Sequence, residues 1–157
     1  MATINATLSL TSADLTSNSL ALSKSMTMLK AGSENGLEFT SGLVRRKFTS
    51  TNHVDLITAG AQNYVTPTAS DSGAAGKAYI KNTGSSSTDY LEIGLVTSIG
   101  SGTATTDAIA GTHLAIGKLY GGDWMLIPYH GKATDGDITV KPSVATEMTA
   151  EFMVFFE

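Results

Sequence analysis

The sequence predicts an all-β protein, an antiparallel sandwich or barrel built from about nine or ten short strands. Three observations predict it. Apolar residues recur at every second position in short runs, the runs are cut by Gly, Asn, Asp and Ser, and no stretch carries the apolar period of an amphipathic helix three turns long. The runs follow one another at spacings of roughly 8 to 16 residues, without the strand–helix alternation that builds a parallel sheet. At 157 residues the chain is read as a single domain, 1–157, large enough to bury a core.

Residues 3–10, TINATLSL, set Ile4, Ala6, Leu8 and Leu10 on one face and Thr3, Asn5, Thr7 and Ser9 on the other, which predicts a half-buried strand. Residues 13–18 are polar turn material, with a short helical turn able to open at Asp14. Alternation resumes through Leu20, Leu22, Met26 and Met28, interrupted by Lys24, and a Met stripe at this spacing reads as core. Residues 1–30 together are a candidate N-terminal strand or arm for contacts with a neighbour. GSENG at 32–36 predicts a hairpin turn, with Leu37 and Phe39 beginning the return strand. RRKF at 45–48 is the one basic cluster. It reads as a solvated strand edge, where basic side chains discourage edge-to-edge pairing, or as a contact for an acidic protein surface. VDLI and NYV follow as short apolar pieces, and TPTASDSGAAG after them reads as a projecting loop.

The second half is more regular. Residues 78–81 form a strand ending in the turn NTGSSSTD, and Leu91, Ile93 and Leu95 alternate with Tyr90, Glu92 and Gly94 in a half-buried strand. Residues 98–112 are a low-complexity loop with a brief helical piece at its centre. Leu114, Ile116 and Leu119 mark the next strand, and Gly121–Gly122 before Asp123 predicts a two-residue hairpin turn. WMLIPY follows, its Pro128 assigning the strand's end to a sheet edge or bulge. ITV and then AEFMVFF complete the set, the latter apolar enough to require a paired and covered position.

Composition narrows the partners. The net charge of −4 arises in the second half, since residues 1–75 carry five basic and five acidic groups and residues 76–157 carry five and nine. Phosphate binding needs clustered Lys and Arg, so nucleic acid is not an expected partner. Charged residues are 15% of the chain, against about 25% in an ordinary soluble domain. In their place stand 17 Ser and 22 Thr, which suit exposed sheet and surfaces that pack against neighbours, where an unpaired charge is costly to desolvate. There is no cysteine, which excludes disulfides and thiolate metal sites. The N-terminus has neither a basic leader nor a long apolar run, and no segment approaches roughly 18 consecutive apolar residues, so neither a cleaved secretion signal nor a membrane span is expected.

No catalytic, cofactor or metal site is expected. His53, His113 and His130 lie 60 and 17 residues apart, outside any short metal-ligand spacing, and nothing local argues for their convergence. Asp135-Gly136-Asp137 lacks the remainder of a calcium loop and reads as a turn. No G-x-S-x-G elbow anchors a nucleophile, and GSGTATT lacks the Gly-Lys pair of a phosphate loop. Trp124, the single tryptophan, is expected in the core at the start of its strand. The alternative makes it a carbohydrate-stacking platform with Tyr120 and Tyr129.

The order AYIKNTG, YLEIGL, GGDWMLIPYHG, DITVKPS and EFMVFF, spanning residues 76–157, resembles small virion structural proteins of tailed bacteriophages. The resemblance implies a β-sandwich of jelly-roll-like form, about 8–10 strands, without catalysis and without invariant active residues, either bound to the outside of a head or part of a tail. The corresponding expectation is a capsid decoration (cement) protein, made in the host cytoplasm and located on the virion surface. Its partner would be the major capsid protein, and it would assemble as a homo-oligomer, a trimer suiting a three-fold position. A tail or head-fibre subunit is the alternative within this class. Shell or neighbour contacts are then expected from the N-terminal strand and the loops at 67–76 and 98–112, with Arg45, Arg46 and Lys47 facing acidic capsid surface and Trp124, Tyr120 and Tyr129 as further interface candidates.

Overall fold

The computed structural model describes residues 4–13, 20–28, 39–58, 75–96, 113–130 and 137–156. Eleven strands occur among them: β1 (Ile4–Ser12), β2 (Leu20–Met28), β3 (Phe39–Thr40), β4 (Val44–Phe48), β5 (Val54–Ile57), β6 (Ala75–Asn82), β7 (Tyr90–Val96), β8 (His113–Tyr120), β9 (Trp124–His130), β10 (Ile138–Pro142) and β11 (Met148–Phe156). They form a four-stranded sheet in the order β5-β10-β7-β8, a five-stranded sheet in which β11 separates β3 and β4 from β6 and β9, and a two-stranded β1–β2 ribbon. Every pairing is antiparallel. The two larger sheets close on one apolar core, and the molecule is an antiparallel β-sandwich.

Period-two alternation builds that core from both sides. Leu56, Ile57, Leu91, Ile93, Ile138 and Val140 enter from the four-stranded sheet, and Ala78, Ile80, Ala150, Phe152 and Val154 meet them from the other. Burying each large aliphatic or aromatic side chain of this set stabilises the fold by about 1.5–3 kcal/mol. Strand β11 is paired along both edges, to β6 on one side and to β4 and then β3 on the other. Between β4 and β3 the chain steps out at residues 41–43, where Gly42 takes a positive φ of 74°. The Ser41 hydroxyl there accepts the Val154 N–H at 2.9 Å while the Ser41 N–H donates to the Val154 carbonyl at 3.0 Å, so the break leaves both groups of β11 satisfied.

Three expectations change. The β2 strand pairs with β1 rather than turning through 32–36 onto a return strand, and Phe39–Thr40 pairs instead with β11. The Gly121–Gly122 turn is not a hairpin, because β8 belongs to the four-stranded sheet and β9 to the five-stranded one. It is a sheet-to-sheet crossing in which the Asp123 N–H donates to the Tyr120 carbonyl at 2.9 Å, Gly122 has φ 89°, and a Cβ at Gly121 would lie 2.5 Å from the Ser86 nitrogen. Strand β7 alternates as expected, in unbroken register with β10, and the register shift beside it is a bulge at Ile116 of β8, which Ile93 and Gly94 flank. Leu91 and Ile93 are buried and Leu95, opposite Ile138, packs partly buried against the same core.

The third change concerns the ribbon. Leu10 faces Leu22, Leu8 faces Lys24 and Ala6 faces Met26 on one side, while Asn5–Thr27, Thr7–Ser25 and Ser9–Ser23 line the other. The expected alternation is present, but Leu8, Leu10, Leu22 and Met26 are 36–44% exposed rather than half-buried against the sandwich. Among the described side chains of the stripe, Met28 is the one buried as core packing would require. Local pattern records that one face is apolar; it does not record what covers it. The loops expected at 67–76 and 98–112 fall largely outside the described residues, as do the turns at 14–18 and 32–36.

Phe152 is the largest of the fully buried side chains among the described residues. Truncation by Phe152→Ala is expected to cost about 3–5 kcal/mol of unfolding free energy. Urea unfolding monitored by circular dichroism would show this as a lower midpoint at an unchanged slope, and a loss below about 1 kcal/mol would mean that the site collapses around the gap.

Candidate interaction surface

On the face of the five-stranded sheet turned away from the core, four strands bring one residue each into a row: Arg45 of β4, Glu151 of β11, Lys81 of β6 and Trp124 of β9. A second row runs Met153, Tyr79 and Leu126. Glu151 is only 8% exposed, and a carboxylate so placed needs a partner. Arg45 supplies it, with Nε and Nη2 both 2.8 Å from Glu151 Oε2. Burial, reinforced by the Glu151 carboxylate, raises the Tyr79 phenol above the ordinary tyrosine value. Lys47 reaches Glu147 at 2.9 Å across exposed surface.

Strand β4 is the solvated, basic strand edge that its composition suggests, yet its three cations do not form one patch. Alternation sends Arg46 to the opposite side from Arg45 and Lys47. Its guanidinium lies 5.5 Å from the Phe48 ring centroid and donates to the Asp55 carbonyl, joining the edge of one sheet to β5 of the other.

Trp124 corrects the expectation of a core residue. In WMLIPYH the inward phase belongs to Met125, Ile127 and Tyr129, so Trp124 projects outward and is 51% exposed, its ring 6.4 Å from that of Tyr79. Pro128 is on an outer edge strand, in keeping with its lack of an N–H. Tyr129 is buried in the core and is no platform for a ligand. Tyr120 is exposed but packs edge-on against Tyr90 with centroids 5.4 Å apart, at the end of the other sheet. The three aromatics singled out from sequence therefore do not make one stacking surface. Tyr79 and Glu151 were not singled out, although the signals were present: Tyr79 is in the outward phase of AYIKN, and a lone acid inside AEFMVFF calls for a cation opposite.

Beside Trp124 the sandwich end is open. A cleft of 280 Å³ is lined by residues of the β6–β7 and β10–β11 loops and the start of β11, among them Thr83, Ser86, Asp89, Glu147 and Thr149. Asn82, 1% exposed, fixes its floor. Its Nδ2 donates to the Leu119 carbonyl at 2.9 Å, its Oδ1 accepts the Gly84 N–H at 3.0 Å, and its backbone exchanges hydrogen bonds with Gly122 and Asp123 of the crossing turn.

A second polar group lies on the outer side of the four-stranded sheet. His53 and His113 stack with centroids 5.7 Å apart, a convergence that their spacing in the chain did not suggest. His113 Nδ1 is 2.7 Å from the Thr139 hydroxyl and Nε2 is 3.3 Å from Glu92 Oε1. Gly94 makes room for the ring, since a Cβ there would lie 2.4 Å from its Cε1. The line Thr139–His113–Glu92 has the atoms of a nucleophile, base and orienting acid, but Thr139 is 0% exposed and no substrate can reach it. Among the described residues no three His, Cys, Asp or Glu side chains are placed to hold a metal ion. Burial pulls the His113 imidazole below its ordinary value, opposed by Glu92. On the neighbouring β5, burial and then the Asp137 carboxylate raise Asp55 from 3.8 to about 6, opposed by Arg46.

No family model matches the sequence, and no curated protein matches it. Among solved structures the chain is similar to PliG of Aeromonas hydrophila, a periplasmic lysozyme inhibitor of g-type lysozyme, at 15% identity and a TM-score of 0.33, over 76% of this chain and 87% of that one.

The Asp55 shift sets a pH dependence. A carboxyl whose folded pKa is raised favours the folded state while protonated, so its contribution is full below the unfolded value of 3.8 and is lost as pH rises through about 6. His113 acts in the opposite sense: its lowered pKa favours the neutral folded form, a contribution present above about 6.5 and lost as pH falls through the depressed value. Asp55→Asn removes the first effect alone. The variant is expected to be more stable than the parent at about pH 7.5, with the difference disappearing near pH 4 in a denaturant series; a difference that stays constant with pH would contradict the assignment.

Proposed function

We propose that the protein is a non-enzymatic structural subunit of a bacteriophage virion, a decoration protein that binds the outer surface of the capsid and stabilises the shell. The observation that carries this reading is the β1–β2 ribbon. A two-stranded ribbon is marginal by itself, and this one presents Leu8, Leu10, Leu22 and Met26 in a stripe with Lys24 as its one charge. Such a surface gains stability only by being covered. The opposite face, a ladder of Thr, Ser and Asn, has no charge to desolvate when a neighbour approaches.

Binding the assembled shell and not its free subunits would stabilise the shell by mass action. A homotrimer gives each particle three ribbons, and engagement of several at once multiplies the affinity of one. The cations of β4 extend the contact: Arg45 and Lys47, though paired, remain 69% and 68% exposed in their side chains and can meet acidic groups of the capsid protein.

The test is binding to expanded empty heads of the virus that carries the protein. Co-sedimentation and a rise in the melting temperature of the heads are expected. The double variant Leu10→Ser, Leu22→Ser should bind at least tenfold more weakly with an unchanged melting temperature of its own sandwich. Absence of both binding and thermal gain for the parent protein would overturn the reading. Light scattering of the free protein is expected to give the mass of a trimer.

A further inference from the structure

We propose that the open end of the sandwich beside Trp124 is a binding site for a neutral oligosaccharide, with one sugar ring stacked on the indole and its hydroxyls held by the cleft. Two independent features meet there. One is the half-exposed indole of Trp124, backed by Tyr79 at 6.4 Å and tilted 40° to it. The other is the cleft of 280 Å³. Register makes them neighbours: Trp124 faces Lys81 across the β6–β9 ladder, and Thr83, two residues on from Lys81, lines the cleft.

The chemistry of the lining selects the ligand. A pyranose offers an apolar face of C–H groups, which suits the negative face of an indole, and a rim of hydroxyls that both donate and accept. The cleft answers with the hydroxyls of Thr83, Ser86, Thr146 and Thr149 and the carboxylates of Asp89 and Glu147. Its volume is near the lower end of small-molecule sites, about 300 Å³, which fits one ring rather than an extended ligand. No cation lines the cleft, Asp89 opposes phosphate, sulfate and sialic acid, and Lys47 is already paired with Glu147, so the class is a neutral sugar.

The site is also built in advance. Thr83 Oγ1 donates to the Thr149 carbonyl at 3.1 Å, Ser86 Oγ accepts the Asp89 N–H at 3.0 Å, and the Gly121 N–H donates to the Ser86 carbonyl at 2.9 Å. Loops tied to each other in this way have little ordering entropy left to lose on binding. The proposal is independent of the shell-binding reading, which rests on the ribbon and not on this end of the sandwich.

Because the chain has a single tryptophan, its emission reports on this site alone. Free protein, without heads, is titrated to about 10 mM with neutral hexasaccharides of glucose, galactose, mannose and N-acetylglucosamine, and with a heparin hexasaccharide as the anionic comparison. A saturable blue shift with at least one neutral sugar is expected, with none for heparin. Saturation-transfer NMR, which needs no indole, should then show at least tenfold weaker binding for Trp124→Ala at an unchanged melting temperature, and a smaller loss for Tyr79→Ala. No response to any neutral sugar, preference for heparin, or undiminished binding by Trp124→Ala would each overturn the proposal. None of these outcomes bears on binding to heads.

Discussion

The pairing of β11 along both edges is the constraint on which the five-stranded sheet depends. With β6 on one side and β4 and β3 on the other, its alternation fixes which residues of all five strands point to the core. Once Ala150, Phe152 and Val154 face inward, Glu151 has to face out, and Arg45, Lys81 and Trp124 follow through register. The outer row is thus a consequence of core packing rather than a separate design. A one-residue slip of β11 would bring Glu151 to the core and expose Phe152, a double penalty that makes the register unambiguous.

Much of this was legible in the chain itself. The strands around AYIKN, YLEIGLV, ITV and AEFMVFF alternate cleanly, and Pro128 announced an edge. What escaped was everything decided by distant residues. Gly121–Gly122 has the chemistry of a hairpin turn, and its real use, passing from one sheet to the other, depends on Ser86 lying where a hairpin partner would otherwise be. Trp124 looked internal because size and hydrophobicity favour burial, whereas its exposure follows from the phase of an edge strand. His53 and His113 are brought together by β10 and a bulge of β8 opposite Gly94, neither of which leaves a trace in the spacing of the histidines.

The polar groups are segregated in a way that bears on function. His113 hydrogen-bonds Thr139 and approaches Glu92 over the four-stranded sheet, tying its edge strand β8 to β10 and β7. Their burial assigns them to cohesion. The surfaces proposed for partners lie elsewhere, on the ribbon and around Trp124, and they differ in kind. One is an apolar stripe with the single charge of Lys24, suited to broad protein contact; the other is an aromatic ring beside a hydroxyl-rich cleft, suited to a small polar ligand.

The crossing of the chain between sheets has a consequence in time. From β5 to β11 the path changes sheet at every step except β7 to β8, so most ladders join segments far apart in the sequence, and β4 and β6 find their shared neighbour only after β11 has been synthesised. Loop closure has to precede the reward of these distant pairings, which puts folding in the slow range on the order of milliseconds to seconds. Until then β4 and β6 each present an open edge, so the nascent chain is most vulnerable to misassociation just before β11 arrives.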